Sequence, residues 1–577
     1  MDRVGEQAGE RAGVRAGERE GTAAGLNDTL ARLVASLLVV RCSGHLADGQ
    51  RRYPRWELDN ATLQRLLSAG VGGVILLGGS AAELRLRTRQ LQAWAATDLL
   101  LCADVEEGVG QRFEGASWLV PPLALGRLHG DDPGAAEELA ERYGRCSGRE
   151  ARALGLNWVL GPVCDVNNNP ANPVINVRAW GETPATAGAL AAAFVRGAQA
   201  EGVLCCAKHF PGHGDSASDS HLELPLLPLS RKRLEAVELP PFRAAIAAGV
   251  SSVMTAHLLL PELDRERPAT LSAAVLTGLL RHDLGFGGLV VTDALVMEAI
   301  TAHHGAGEAA VLALEAGADL VLMPADADDA LDAIVAAVRS GRLSEGRLAE
   351  SLARRCRALE SLPSDPPDAD PTAPLGGLSN GPVAEDQELA VRLLAGSLQR
   401  QGPAWAAAGG KGEGREGGGG GVNLVRVDSG LGNPILSPLA PALVLPEAAG
   451  LRTRLLEGRS PSPWSGDPEQ PLALERLGEG PVLLQLFVRG NPFRASAGSP
   501  EPWPQVLYQL QEAHRLAGLA VLGSPYLWES LRPLLGEGIP AAYSPGQMPQ
   551  AQQHLLESLG FGRDRARTAS GADEFTD

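Results

Sequence analysis

The sequence predicts an α/β protein: a (β/α)8 barrel of the TIM type, followed by a smaller C-terminal α/β domain. Two patterns carry this. From about residue 30, eight short apolar, β-branched runs alternate with helix-length segments rich in Ala, Leu, Glu and Arg, the signature of βαβ units on a parallel sheet. The charged residues of those runs also fall at their C-terminal ends, where a barrel presents its working groups. An open doubly wound sheet is the rival architecture, but eight units within about 320 residues suit a barrel better.

The eight runs are 33–40, 71–78, 99–105, 156–166, 203–210, 251–258, 288–295 and 318–324. Asp104 closes the third, Asp165 the fourth, Lys208 and His209 the fifth, His257 the sixth and Asp293 the seventh. Charged residues at the strand starts are nearly absent. Segments such as ELAERYGRCSGREARAL and PATAGALAAAFVRGAQAEG read as intervening helices closed by Gly.

The flanks have a different composition. Residues 1–27 form a charged, Gly-rich near-repeat with no apolar core, which reads as a disordered tail rather than a signal peptide. Residues 361–384 are rich in Pro, Asp and Gly and read as a linker. A second unit is expected over 385–565, interrupted by a Gly-rich insertion at 409–421 and followed by a polar tail at 566–577. Within it, PVLLQLFVRG, LAGLAVLGSPY and IPAAYSPG read as strands, and WPQVLYQLQEAHRLAG and LWESLRPLLGEG as helices.

Composition narrows the function. A net charge of −18 speaks against nucleic-acid binding, which needs a basic footprint. No apolar run approaches the roughly 20 residues of a membrane span, and no basic amphipathic stretch suits a membrane surface. The seven Cys include no C-x-x-C pair and fall mostly in apolar runs, so small buried thiols in a reducing compartment are expected. Together these point to a soluble, cytoplasmic protein.

The densest cluster of chemistry is KHFPGHGDSASDSHLELP, residues 208–225, which gathers Lys208, His209, His213, Asp215, Asp219 and His221 in one turn-rich loop. A zinc site built from these His and Asp residues would need a helix to aim them, and Pro211, Gly212 and Gly214 oppose one. No metal and no cofactor is expected.

With DVEEGVGQRF (104–113), GPVCDVNNNPANPVINVRAWG (161–181), VMTAHLLLPELD (253–264) and GFGGLVVTDALVMEAI (285–300), this loop resembles glycoside hydrolase family 3. Within that family it is most similar to the bacterial β-N-acetylhexosaminidases of peptidoglycan recycling, whose mark is the D-S-H triplet, here Asp219-Ser220-His221. The resemblance implies a retaining exo-hydrolase for terminal β-linked GlcNAc, with Asp293 as nucleophile and His221, oriented by Asp219, as acid/base. It makes Asp104, Arg112, Arg178, Lys208 and His209 the sugar-binding positions. The implied partner is a small carbohydrate, a GlcNAc-containing muropeptide; the oligomeric state is left open, with a monomer favoured.

An Asp at a strand end could equally cap the next helix, but the motif around Asp293 favours a nucleophile. An Asp–His pair suits acid/base work because the carboxylate fixes the imidazole tautomer. Asp165 and Asn172 are expected to shape the loop presenting Arg178, and His257 to be a satisfied wall residue. Glu107 stands where the family has Gly, so that loop is expected to differ. Trp180 replaces the usual Phe and is expected to keep an aromatic wall. Within the same family a phosphorylase or a β-glucosidase is the alternative activity. A sugar-binding protein without catalysis would be expected to have lost Asp293 or the triplet.

Overall fold

The computed structural model describes residues 29–216, 218–220, 222–363, 383–405, 420–427, 436–456, 463–489 and 501–562. The expected N-terminal tail, residues 364–382 of the linker, 409–419 of the Gly-rich stretch, the tail at 566–577 and His221 lie outside them.

Eight parallel strands make the first sheet: β1 Leu38–Ser43, β2 Gly73–Leu77, β3 Leu100–Ala103, β4 Trp158–Val159, β5 Leu204–Phe210, β6 Ser252–Thr255, β7 Leu289–Val291 and β8 Val321–Leu322. They are hydrogen-bonded in the order β8-β1-β2-β3-β4-β5-β6-β7, and a parallel bridge between Val291 and Leu320 joins the two ends into a barrel. Seven of the eight expected runs carry their strand in place. The first does not: residues 29–35 are helical, and the strand starts only at Leu38. LVASLLVV is apolar except for Ser36, and such a run carries no period that separates a buried helix end from a buried strand.

Helices between the strands begin where the sequence caps them. Asp132 accepts a hydrogen bond from Ala135 N ahead of Pro133–Ala153, and Thr183 accepts one from Thr186 N ahead of Pro184–Ala200. Both have Pro in the first turn, where no N–H is missed. These two helices pack backbone to backbone. A Cβ on Gly197 would stand 2.0 Å from Glu141 O, so only glycine permits the approach. Leu, Val, Ala and Ile supply the continuous core beneath them, at about 1.5–3 kcal/mol for each large side chain buried.

The second sheet has six strands: β9 Gln399–Gln401, β10 Val422–Val427, β11 Arg452–Leu456, β12 Val482–Val488, β13 Leu516–Gly523 and β14 Ala541–Ser544. The order is β9-β14-β13-β12-β10-β11, parallel except for β9. The three runs expected here are β12, β13 and β14; β9, β10 and β11 have no counterpart among the expected runs. Each face has its own apolar cluster, and Met548 and Ala551 from this unit belong to the barrel's core. All seven Cys are free, and only Cys356 is exposed. Among the described residues no helix is long and apolar enough to cross a membrane.

Candidate active site

A parallel barrel brings every strand's C-terminal end to one mouth, and there the charged residues converge. Lys208, on β5, is 1% exposed and donates from Nζ to Asp104 Oδ1 and lies equally close, 2.7 Å, to Glu106 Oε1. Arg178, itself buried, meets Glu106 through two parallel bonds, Nε to Oε2 at 2.8 Å and Nη2 to Oε1 at 2.9 Å. Arg112 completes the cradle, with Nη2 3.5 Å from Asp104 Oδ2 and Nε donating to Asp104 O.

Electrostatics follow from this packing. Burial alone would raise the Glu106 carboxyl, but Arg178 and Lys208 outweigh it and hold it well below the usual range. Asp104 is lowered in the same way, with Lys208 and then Arg112 overcoming desolvation. Burial opposes the Lys208 charge, yet Asp104 and Glu106 raise its pKa. Two anions thus fix a buried cation, and about a quarter of the Asp104 side chain stays open to the mouth.

The loop after β5 is tied down by the loop after β4. Asp165, fully buried, accepts the His209 ring at 2.8 Å, the His209 backbone N–H, and the His213 N–H at 2.7 Å. Asn172 Oδ1 accepts from Val174 N and Ile175 N, while its amide donates to the His213 and Gly214 carbonyls. Gly214 allows this: a Cβ there would lie 1.8 Å from Val166 O. Asn172 shapes the Arg178 loop as expected, and Arg178 Nη1 donates to Val174 O. Asp165 does something else; its carboxylate orients His209 and anchors the next loop.

His213 bridges two serines, Nδ1 to Ser216 Oγ at 2.6 Å and Nε2 to Ser220 Oγ at 3.0 Å. A neutral imidazole offers one donor and one acceptor, which two hydroxyls can match. Burial pushes its pKa down to about 4, against the pull of Asp165. Ser216 and Ser220 are thereby tied to the same histidine, and Asp219 beside Ser220 is 1% exposed. Among the described residues, three possible metal ligands converge within 4.8 Å at Cys146, Glu150 and Asp386, away from this loop.

Asp293 lies two residues beyond β7 and is partly exposed; its N–H donates to Thr255 Oγ1, and its Oδ1 accepts from Ala294 N at 2.7 Å. His257 is fully buried, bonded through Nδ1 to Thr270 Oγ1 and through Nε2 to Ala294 O, as a wall residue should be. Trp180 does not wall the mouth. It is 1% exposed, packed edge-on against Tyr143 at 5.3 Å and tilted against Phe194 at 5.5 Å, because its ring fills the space behind the loop.

Two site residues escaped the sequence reading. Glu106 is one, although two adjacent acids after a strand-end Asp are themselves a signal. Arg489 gave none; it reaches Glu107 from 382 positions away.

Fold and mouth together define a (β/α)8 barrel protein with a charged strand-end pocket and an appended parallel α/β unit. The chain matches the glycosyl hydrolase family 3 N terminal domain over residues 30–358 and the bacterial glycosyl hydrolase family 3 C-terminal domain over 417–561, and it belongs to glycoside hydrolase family 3. It is 35% identical over 302 residues to a β-N-acetylglucosaminidase/β-glucosidase of Cellulomonas fimi, an alignment that covers 51% of this chain and 52% of that one. A β-hexosaminidase of Neisseria meningitidis serogroup C (strain 053442) is 38% identical over 273 residues, 46% of this chain and 75% of its own. The chain thus spans about half the length of the first of these relatives. The structure of a family 3 β-N-acetylglucosaminidase from Paenibacillus sp. str. FPU-7 matches with a TM-score of 0.70 and 30% identity, over 92% of this chain and 96% of that one.

Proposed function

We propose that the protein is a retaining exo-β-N-acetylhexosaminidase that removes terminal, non-reducing β-linked GlcNAc, with peptidoglycan fragments in the cytoplasm as its substrates. The observation that carries this reading is the partly exposed Asp293 carboxylate at the end of β7, in the same mouth as the Asp104–Lys208–Glu106–Arg178 cradle. Relatives named as β-hexosaminidases support the choice of sugar.

In this reading Asp104, Arg112, Lys208, His209 and Arg178 hold the sugar's hydroxyl and acylated groups. Asp293 attacks the anomeric carbon; the glycosidic bond breaks, and the leaving oxygen takes a proton from His221. Asp219 supports the imidazolium. Water then gives its proton to His221 and opens the glycosyl ester with net retention. An Asp293 backbone N–H bonded to Thr255, and an Oδ1 held by Ala294 N, keep the carboxylate aimed. No step calls on a metal.

The test is hydrolysis of nitrophenyl β-GlcNAc against nitrophenyl β-glucose, followed by trapping with a slow fluorosugar and mass spectrometry. Preference for GlcNAc and an adduct on Asp293 are expected. Preference for the glucoside, or a sugar phosphate released when phosphate is added, would replace the activity. An adduct on another residue would remove the mechanism.

A further inference from the structure

The loop after β3 is gripped from two sides. Glu106 faces the mouth and takes Lys208 and Arg178. Glu107 faces the other way and is only 1% exposed. Its Oε2 accepts Trp118 Nε1–H at 3.0 Å, and its Oε1 accepts Arg489 Nη2–H at 2.5 Å. Arg489 follows β12 directly and is itself buried. Two ions taken out of water are tolerated only while they meet, so this contact fixes the loop relative to the second sheet.

A second strut joins the units at the loop after β4, the strand next to β3. Tyr526 OH donates to Glu182 Oε1 at 2.7 Å and accepts from Asn167 Nδ2 at 2.7 Å, two residues beyond Asp165. Arg127 lies over the Tyr526 ring and pairs with Glu182 and with Glu529. The mouth's two anchoring carboxylates, Glu106 and Asp165, therefore each have a neighbour bonded to the C-terminal unit.

We propose that Arg489 is a positioning residue for the sugar cradle. By holding Glu107 it sets the backbone of the adjacent Glu106, and Glu106 in turn places Lys208 and Arg178. The inference rests on the reading of the mouth as the sugar site. It makes the C-terminal unit a working part of that site, although none of its residues need touch the sugar. Glu107 is then the socket for this contact.

The experiment uses the full chain and the nitrophenyl β-glycoside that the wild type turns over fastest, so the wild type alone decides the sugar and the variant-to-wild-type ratio decides the inference. Arg489→Met is expected to raise KM roughly 10- to 100-fold while its near-UV circular dichroism matches the wild type, because small misplacements of binding groups cost that much. Arg489→Lys, which keeps the charge but shortens the reach, should fall between. The double variant E107Q/R489M should lose no more than the worse single, since both act through one contact. Hydrogen exchange of residues 104–112 needs no substrate and should quicken in Arg489→Met and Arg489→Lys. A folded Arg489→Met, or a folded Arg489→Lys should the former not fold, with KM and loop exchange equal to wild type would overturn the proposal. So would a lowered melting temperature with KM unmoved, or losses that simply multiply in the double variant.

Discussion

Glu106 and Arg178 form a two-pronged, buried ion pair, 2.8 and 2.9 Å long, at the centre of the barrel mouth. The same carboxylate also meets Lys208 at 2.7 Å. One anion therefore places two cations that hold the sugar in the proposed reaction.

Glu106→Gln keeps the shape and removes the charge. Arg178 would lose the carboxylate that it pairs with, while Lys208 would keep Asp104. Leaving a buried cation unpaired costs roughly 3–5 kcal/mol, and the cradle should loosen. Urea unfolding should show a loss of that order, and steady-state kinetics a raised KM. Unchanged stability and KM would mean that water replaces the carboxylate.

How much of this was legible in the sequence depends on the range of the contact. Asp104, Lys208 and Asp293 could be placed because strand ends are a local pattern that the barrel turns into a shared mouth. The Lys208–Asp104 pair joins two such ends, so the topology implied their meeting. Arg489–Glu107 was illegible, because nothing local in VRG names a partner across two units. The shift of β1 to Leu38 had a different origin: consecutive apolar residues hide the change from helical to extended period. Asp319 runs against the expected lack of charge at strand starts, since three arginines from neighbouring helices surround it.

His213 should make the fold acid-sensitive. Its folded pKa is about 4 against an ordinary 6.5, so the folded state favours the neutral ring. Its contribution is complete above pH 6.5 and is lost as pH falls toward 4, where the unfolded chain takes up the proton first. The full difference is on the order of 3 kcal/mol. Protonation would also turn the ring's one acceptor nitrogen into a donor, weakening one of its two serine contacts close to Asp219. Melting curves across this range should fall less steeply for His213→Gln than for the wild type; parallel curves would rule out the assignment.

Glu150 has the opposite sign. Burial raises its carboxyl to about 7, against the pull of two Ser117 bonds, Oγ to Oε1 at 2.7 Å and N to Oε2 at 3.0 Å. A raised acid is most stabilising when both states are protonated. Its contribution is complete below 4.5 and is lost as pH rises to 7, again on the order of 3 kcal/mol. Glu150→Gln is neutral at every pH and can still accept from Ser117. It should therefore be more stable than the wild type above pH 7 and close to it under acid conditions. A stability difference that does not change with pH would show that Glu150 stays ionised.

Asp319 tests the barrel's other end. It is fully buried at the start of β8 and bonds Arg281, Arg347, Arg354, Ser351 Oγ and Val290 N. Five donors on one carboxylate tie β7, β8 and the helix Glu345–Glu360 together, at the barrel end opposite the mouth. In a barrel this end serves stability and the strand C-termini serve chemistry. Asp319→Asn leaves three arginines around a neutral amide, so a loss of about 3–5 kcal/mol is expected, read as a lower urea midpoint. KM and kcat of the folded fraction should match the wild type, because Asp104, Lys208 and Asp293 sit at the C-terminal ends of their strands, with partners of their own there. A raised KM would show that strain at the base is transmitted along β7 to Asp293, and the division between the two ends would fail.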